Sequence, residues 1–255
     1  MARNRGKNHR RRRGRFSFLL RLVCLLFIIG ATIAALTLFF RVQHIEVSGC
    51  ERYDTQEIVD ASGIRTEDNL FLLNKYSVAQ TIFEKLPYVE EASINRSLPD
   101  TIVITVRECT AAAGLKTQEG IWLVSENGKL LENAGSAAGC PLVEGLEPEL
   151  LAQSAQLSAD GENGEKVTML LSLLRAARER AMLADIASID LSDPEAVYLR
   201  YLDRFTVKFP WDCSADTVLR GTEEVVTGEL ESNQTGEINF MSLTEKGWIN
   251  FIPDK

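Results

Sequence analysis

Nineteen consecutive residues, Leu22 to Phe40 (LVCLLFIIGATIAALTLFF), carry no charge. At about 1.5 Å rise per residue, a helix of this length nearly crosses a hydrocarbon core of about 30 Å. Phe16, Phe18, Leu19 and Leu20 lengthen the run, and Arg21 can extend its guanidinium to the headgroups. A helix buried in a soluble core would show a polar stripe; this one shows none. A signal-peptide core is about 7–15 residues and ends at a small-x-small site. This run is longer and no Ala-x-Ala follows it, so the reading is an uncleaved membrane anchor over residues 18–40.

Charge is segregated about this run. Residues 1–41 hold ten basic side chains and no acidic one, while residues 42–255 hold 18 basic and 36 acidic groups. The positive-inside rule then places the basic tail, residues 1–17, in the cytoplasm and residues 42–255 outside. An Arg-rich stretch against a membrane span is suited to anionic lipid, so no nucleic-acid partner is expected. Of the five cysteines, Cys24 lies in the span; Cys50, Cys109, Cys140 and Cys213 are widely spaced, without a C-x-x-C or paired histidines. That is no zinc pattern.

Beyond the span, RVQHIEVSG reads as a strand ending at Gly49. Asp54 and Glu57 have capping-box spacing and Gly63 is a C-cap candidate, which predicts a short helix. Ser77 and Gln80 repeat that spacing, and Val78, Ile82, Phe83 and Leu86 make one face of a second helix that ends at Pro87. Ala92 and Ile94 share one face of a strand. Ile102, Ile104 and Val106 share a face of the next at period two, and SLPD turns between them. Two helices on a three-stranded sheet form a complete unit of about 70 residues. A second unit follows. IWLV and KLLE form a hairpin about Asn127-Gly128, and CPLVEG is a short strand. Residues 145–164 form a polar loop. An amphipathic helix carries Val167, Leu170, Leu171, Leu174, Ala177 and Ala181 on one face. Then come three strands (IASIDLS, AVYLRY, RFTVKFP), a helix from Ser214 that Gly221 weakens, and the closing strands GEINFMS and GWINFIP. The fold class is α+β.

Chemistry is sparse. The two histidines are His9, in the tail, and His44, in the first strand, so histidine-based nucleophilic or metal sites are nearly excluded outside the membrane. There is no G-x-S-x-G, Walker loop or S-x-x-K. Asp185, Asp190, Asp193 and Glu195 cluster, as do Glu223 and Glu224, and paired acids could hydrolyse glycosides. In so acidic a domain, solvated loops and a helix face account for them better.

This order of tail, span, strand–helix–helix–strand–strand and larger β-rich unit resembles the bacterial FtsQ/DivIB family of cell-division proteins. The stretches that carry the resemblance are FRVQHIEVSG, LPYVEEASINRSLPDTIVITVRE, GIWLVSENGKLL, RFTVKF, GEINF and GWINFIP. The resemblance implies a POTRA domain over residues 41–109, which docks polypeptides, and an FtsQ-type β-domain over residues 110–255. It also implies a non-catalytic scaffold at the division septum, with no cofactor. Its partners would be FtsL-like and FtsB/DivIC-like single-span proteins, through which it would control a septal peptidoglycan synthase. The family's partner site lies on the last strands, where an extended partner segment adds to an open edge. By motif match, Phe240, Ser242, Gly247 and Trp248 fall on its contact positions; the alternative is that the two aromatics are core.

Cysteines at these places are not part of the family pattern. The first and third strands of a POTRA unit run parallel, and Cys50 and Cys109 each follow one of them. They could form a disulfide, which needs Cα atoms about 4.4–6.8 Å apart, or stay as free thiols. Three rivals remain: a membrane-anchored wall hydrolase with paired carboxylates, a POTRA protein for polypeptide translocation, and a membrane-anchored sensor. The last two expect further POTRA units or a barrel, and a structured cytoplasmic domain, respectively.

Overall fold

The computed structural model describes residues 13–137, 139–231, 233–243 and 247–254, with side chains from residue 18 onward. The basic run before Arg13 lies outside the described residues. Helix α1 (Arg13–Phe39) contains the apolar window Phe18–Phe39, long and apolar enough to cross a membrane and not buried against the rest of the molecule.

The next five elements are β1 (His44–Ser48), α2 (Thr55–Ser62), α3 (Lys75–Lys85), β2 (Val89–Ser97) and β3 (Thr101–Glu108). They form a three-stranded sheet in the order β1-β3-β2. As expected from the sequence, β1 runs parallel to β3, and β2 is antiparallel to it. Period-two patterning puts Ile102, Ile104 and Val106 inside, against Ile58 of α2 and Val78 and Ile82 of α3. The α2 caps are as expected: Glu57 Oε2 accepts from the Asp54 N–H at 2.9 Å, and Gly63 closes the helix with φ of 69°. The α3 cap differs. Asn74 is the N-cap, and its Oδ1 accepts from the N–H groups of Tyr76 (3.1 Å) and Ser77 (3.4 Å). Asn caps as well as Ser and lies earlier, so the helix starts before Ser77. Gln80 donates instead to Glu84, one turn on.

The remaining strands are β4 (Ala111–Thr117), β5 (Gly120–Ser125), β6 (Leu130–Asn133), β7 (Leu142–Glu144), β8 (Ile186–Asp190), β9 (Ala196–Tyr201), β10 (Phe205–Pro210), β11 (Gly236–Asn239) and β12 (Asn250–Pro253). They make one nine-stranded sheet in the order β12-β11-β10-β9-β8-β7-β4-β5-β6. Helices α4 (Glu162–Glu179) and α5 (Ala215–Gly228) pack on each other, and their apolar faces join the sheet's core. The loop between β7 and α4 carries no regular element up to Gly161, but Leu146 and Leu157 plug the core. Strand β4, which joins β7 to β5, was not expected. Its sequence AAAGLKT has little of the β-branched and aromatic content that marks strands.

Candidate partner-binding edge and domain junction

The C-terminal edge is built by a crossover. Strand β10 leads through α5 into β11, which pairs parallel to β10, and β12 folds back antiparallel onto β11. Serine 214 starts α5 by accepting from the Thr217 N–H at 3.2 Å. Gly221, which weakened the helix on propensity, is needed for packing. A Cβ there would stand 2.9 Å from Phe240 Cε1 and 2.9 Å from Ile249 Cδ1. Gly236 has the same role in the sheet, since a Cβ would lie 2.2 Å from the Ile252 carbonyl oxygen. Strand β12 is therefore held close to β11 on one side while its other side ends the sheet. Phe251 turns inward and meets the Phe205 ring edge-on at 6.2 Å, whereas Ile252 is 53% exposed.

The four motif residues separate. Phe240 is fully buried in the core, its N–H bonded to the Lys208 carbonyl at 2.8 Å, so it supports the edge from behind and is not a surface anchor. Ser242 is half-buried, Gly247 is exposed with φ of 74°, and Trp248 is 55% exposed just before β12. The F-x-S spacing could not distinguish an aromatic at the end of an edge strand from one turned into the core.

Among the described residues, acids of the two sequence clusters are engaged by their own neighbours. Asp190 accepts from the Ser192 N–H, and Glu223 sits 3.5 Å from Arg180. Asp193 is held below the usual carboxylate range, first by the Glu195 N–H and also by the Tyr198 hydroxyl, the opposite of what a general acid needs.

The second notable region, missed from sequence, is the junction between the two sheets, where only two residues separate β3 from β4. Lys129, at the turn of the β5–β6 hairpin, is 1% exposed. Its ammonium donates to the carbonyls of Phe83 (2.9 Å), Leu86 (3.1 Å) and Val89 (2.7 Å) and lies 3.6 Å from the centre of the Phe83 ring. Two of those carbonyls, at Phe83 and Leu86, belong to the last turn and C-cap of α3, so a lysine of one domain caps a helix of the other. Burial pulls its pKa down to about 8. A lysine opening a strand after Asn-Gly is normally solvated, and nothing in its spacing marks it as buried.

Around Lys129 the contacts continue. Tyr88 donates its hydroxyl to Glu132 while Arg52 lies over its ring at 3.6 Å; burial, then the Glu132 bond, push its pKa up to about 12. Glu108 gathers the N–H groups of Glu51, Arg52 and Tyr53. Asn127 donates to Glu90 at 2.9 Å, and Arg178 to Thr110 at 3.0 Å. Cys50 and Cys109 border the same cavity of about 1030 Å³, yet both thiols are free. The strand register sets the two apart. Ser48 pairs with Thr105, so Cys50 falls level with Arg107, two residues short of Cys109. Cys50 packs on the core of the three-stranded sheet, while Cys109 packs with Tyr88, Leu123 and Leu131.

Comparison with known proteins agrees with this architecture. The family model for the FtsQ-type POTRA domain matches residues 40–108. The chain is 28% identical over 165 residues to the cell division protein FtsQ of Corynebacterium glutamicum, covering 64% of this chain and 68% of that protein. It is 30% identical over 131 residues to the cell division protein DivIB of Clostridium botulinum, covering 51% of each. It is 29% identical over 123 residues to FtsQ of Geotalea daltonii, covering 48% of this chain and 44% of that protein. The matches thus span about half the length of the latter two relatives. Residues 40–108 thus match the FtsQ-type POTRA domain, and the chain is similar over part of its length to the FtsQ and DivIB cell division proteins.

Proposed function

We propose that this protein is a non-catalytic scaffold of bacterial cell division that captures a segment of a single-span partner, of the FtsB/DivIC type, as an added strand beside β12. A second bitopic protein of the FtsL type completes the assembly, which acts on septal peptidoglycan synthesis from outside the membrane with the N-terminus inside. The observation that carries the reading is β12 at the end of the nine-stranded sheet, with Trp248 and Ile252 half-exposed around it. An edge strand supplies backbone donors and acceptors for an incoming strand, and apolar side chains at its rim supply specificity.

The test uses the full chain in nanodiscs and the extracytoplasmic segments of both partner types. Wild type binds them. Trp248→Ala weakens binding by about tenfold or more, as removal of an aromatic hot spot does, with the melting temperature unchanged. Gly236→Ala forces β12 off β11 and abolishes binding while the rest of the sheet keeps its circular dichroism. A folded wild-type chain that binds neither segment rejects the proposal.

A further inference from the structure

Outside α1, the described residues leave seven large apolar side chains exposed, and four of them belong to the POTRA domain: Phe71, Leu72, Tyr76 and Leu98. These four come from separate stretches of chain but gather at one end of the domain, the end where the chain leaves the span.

The loop between α2 and α3 is bonded to the end of the span. Asn69 donates its side-chain amide to the Thr37 carbonyl at 3.1 Å, and the Leu70 N–H donates to the Phe40 carbonyl at 3.0 Å. The Phe71 ring meets that of Phe40 edge-on at 5.0 Å. Thr37 lies within the apolar window that ends at Phe39. At about 1.5 Å per residue it is only about 3 Å below that end, so Asn69 is at the depth of the last helical turn. A helix end at the hydrocarbon boundary has orphan carbonyls that water cannot reach, and Asn69 satisfies one of them. Phe71 (54% exposed) and Leu72 (80%) follow it directly, and Tyr76 (75%) stands in the first turn of α3.

The β2–β3 turn reaches the same level. The Asp100 carbonyl accepts from the N–H groups of Gln43 (2.8 Å) and His44 (3.3 Å), a few residues past the span, so Leu98, 60% exposed, stands on the same side of the domain. Arg96 ties turn to loop by donating to the Leu73 carbonyl at 2.6 Å. Of the charges nearby, Arg41 is paired with Glu67 at 3.5 Å, and Lys75 lies 5.1 Å from the Tyr76 ring centre. Asp68 accepts from the Arg65 N–H at 2.8 Å, and Asp100, in the turn itself, accepts from the Thr101 hydroxyl at 3.1 Å, so the turn reaches headgroup depth and no further.

We propose that loop 69–76 and turn 98–100 dip into the bilayer surface on the side of the folded domains, so that the POTRA domain is held at the span and at two further points. The inference rests on α1 being a membrane span. The occupant is lipid because the four side chains share the level of the span's last turn. They are the Phe, Leu and Tyr side chains of a membrane–water interface, and Lys75 stands beside them. The consequence is orientation. A domain tethered only by Phe40–Arg41 could swivel about the span. Held at three points, it directs β3 away from the membrane and fixes where the β-domain begins.

Depth-dependent fluorescence quenching tests this with the full chain in vesicles of phosphatidylcholine and phosphatidylglycerol. The lipids are brominated either near the headgroup or near the chain ends. Single tryptophans are added as Leu72→Trp, Leu98→Trp, Phe27→Trp in the span and Leu150→Trp in the β-domain. Emission of the native Trp122, Trp211 and Trp248 is subtracted using the unaltered chain. The expected result is that L72W and L98W lose more emission to shallow than to deep bromines, F27W the reverse, and L150W none. All four replaced side chains are exposed, so the variants keep the core, which circular dichroism verifies. Either L72W or L98W unquenched beside a quenched F27W overturns the two-loop contact and assigns that apolar end to a protein partner. F27W itself unquenched overturns the span on which the inference stands, leaving the β12 reading to be judged by its own binding assay.

Discussion

The domain junction and the C-terminal edge treat polar groups in opposite ways. At the junction, Lys129 carries a full ammonium into a site 1% exposed and satisfies three carbonyls of the neighbouring domain. At the edge, β12 is four residues long, and its outward side chains, Asn250 and Ile252, are exposed. A buried charge is tolerated only where its geometry is complete, so the junction is specified for a single arrangement of the two domains. A sheet edge instead stays available to whatever strand fits it. The contrast suits the proposed scaffold: rigidity lies between the apolar helix and the proposed binding edge, and incompleteness lies at the edge itself.

The sharpest way to break this contrast is at Phe240, which sits behind the edge. As a core residue, its replacement by Ala removes a buried ring and leaves a cavity beside Gly221. The expected loss is about 3–5 kcal/mol of stability by urea unfolding. A Phe240→Ala chain that melts like wild type but no longer binds would return Phe240 to the interface and erase the distinction between support and surface.

Next in size is Lys129→Met. It keeps the stem's volume and removes the donor from three buried carbonyls, for an expected loss of about 2–4 kcal/mol. Urea unfolding measures it, and limited proteolysis at residues 109–110 reports whether the two sheets loosen before either unfolds. No change on either measure would mean that water replaces the ammonium and that the junction is no more specified than the edge.

The same lysine produces a smaller effect of pH. Its pKa is about 8 in the fold, against an ordinary value of 10.5. Above pH 8 the unfolded chain therefore binds the proton more tightly than the folded one, and stability rises with pH. The rise is separable up to about pH 9. Beyond that, Cys109, pushed up to about 12 chiefly by burial, keeps its proton in the fold while the unfolded thiol loses it, which opposes the rise and outlasts it above the ordinary lysine value of 10.5. Unfolding free energies at pH 8 and 9 should climb in wild type relative to Lys129→Met. Parallel profiles would place the ammonium in contact with solvent.

How far the sequence foretells these features depends on whether each has a local cause. The α2 caps at Asp54, Glu57 and Gly63 and the alternation Ile102, Ile104, Val106 are properties of adjacent residues, and they were legible. Strand β4 was not, because Ala-Ala-Ala-Gly becomes a strand only through pairing with β5 and β7 on either side. Gly221 looked like a fault in α5 until Phe240 and Ile249 stood against it. At the site, the closing strands were within reach, but the spacing left open which of Phe240 and Trp248 is core, and the burial of Lys129 had no signal. Both depend on contacts far along the chain, and neither has a periodic signature.

The smallest effect belongs to the surface of the POTRA sheet. Arg107 and Glu91 approach to 3.2 Å across β3 and β2, but their side chains are 62% and 67% exposed. Water screens such a pair, and ordering two long side chains offsets the remaining attraction, so Glu91→Gln should change stability by less than about 0.5 kcal/mol. Arg107 also borders the junction cavity together with Glu108 and Cys109. That makes the substitution a sensitive control for the junction: urea unfolding at 50 mM and 500 mM salt should give the same small difference for Glu91→Gln. A salt-dependent loss larger than about 1 kcal/mol would show that Arg107 is coupled to the buried network around Lys129. The boundary between the sealed junction and the solvated sheet would then lie one strand further toward β2.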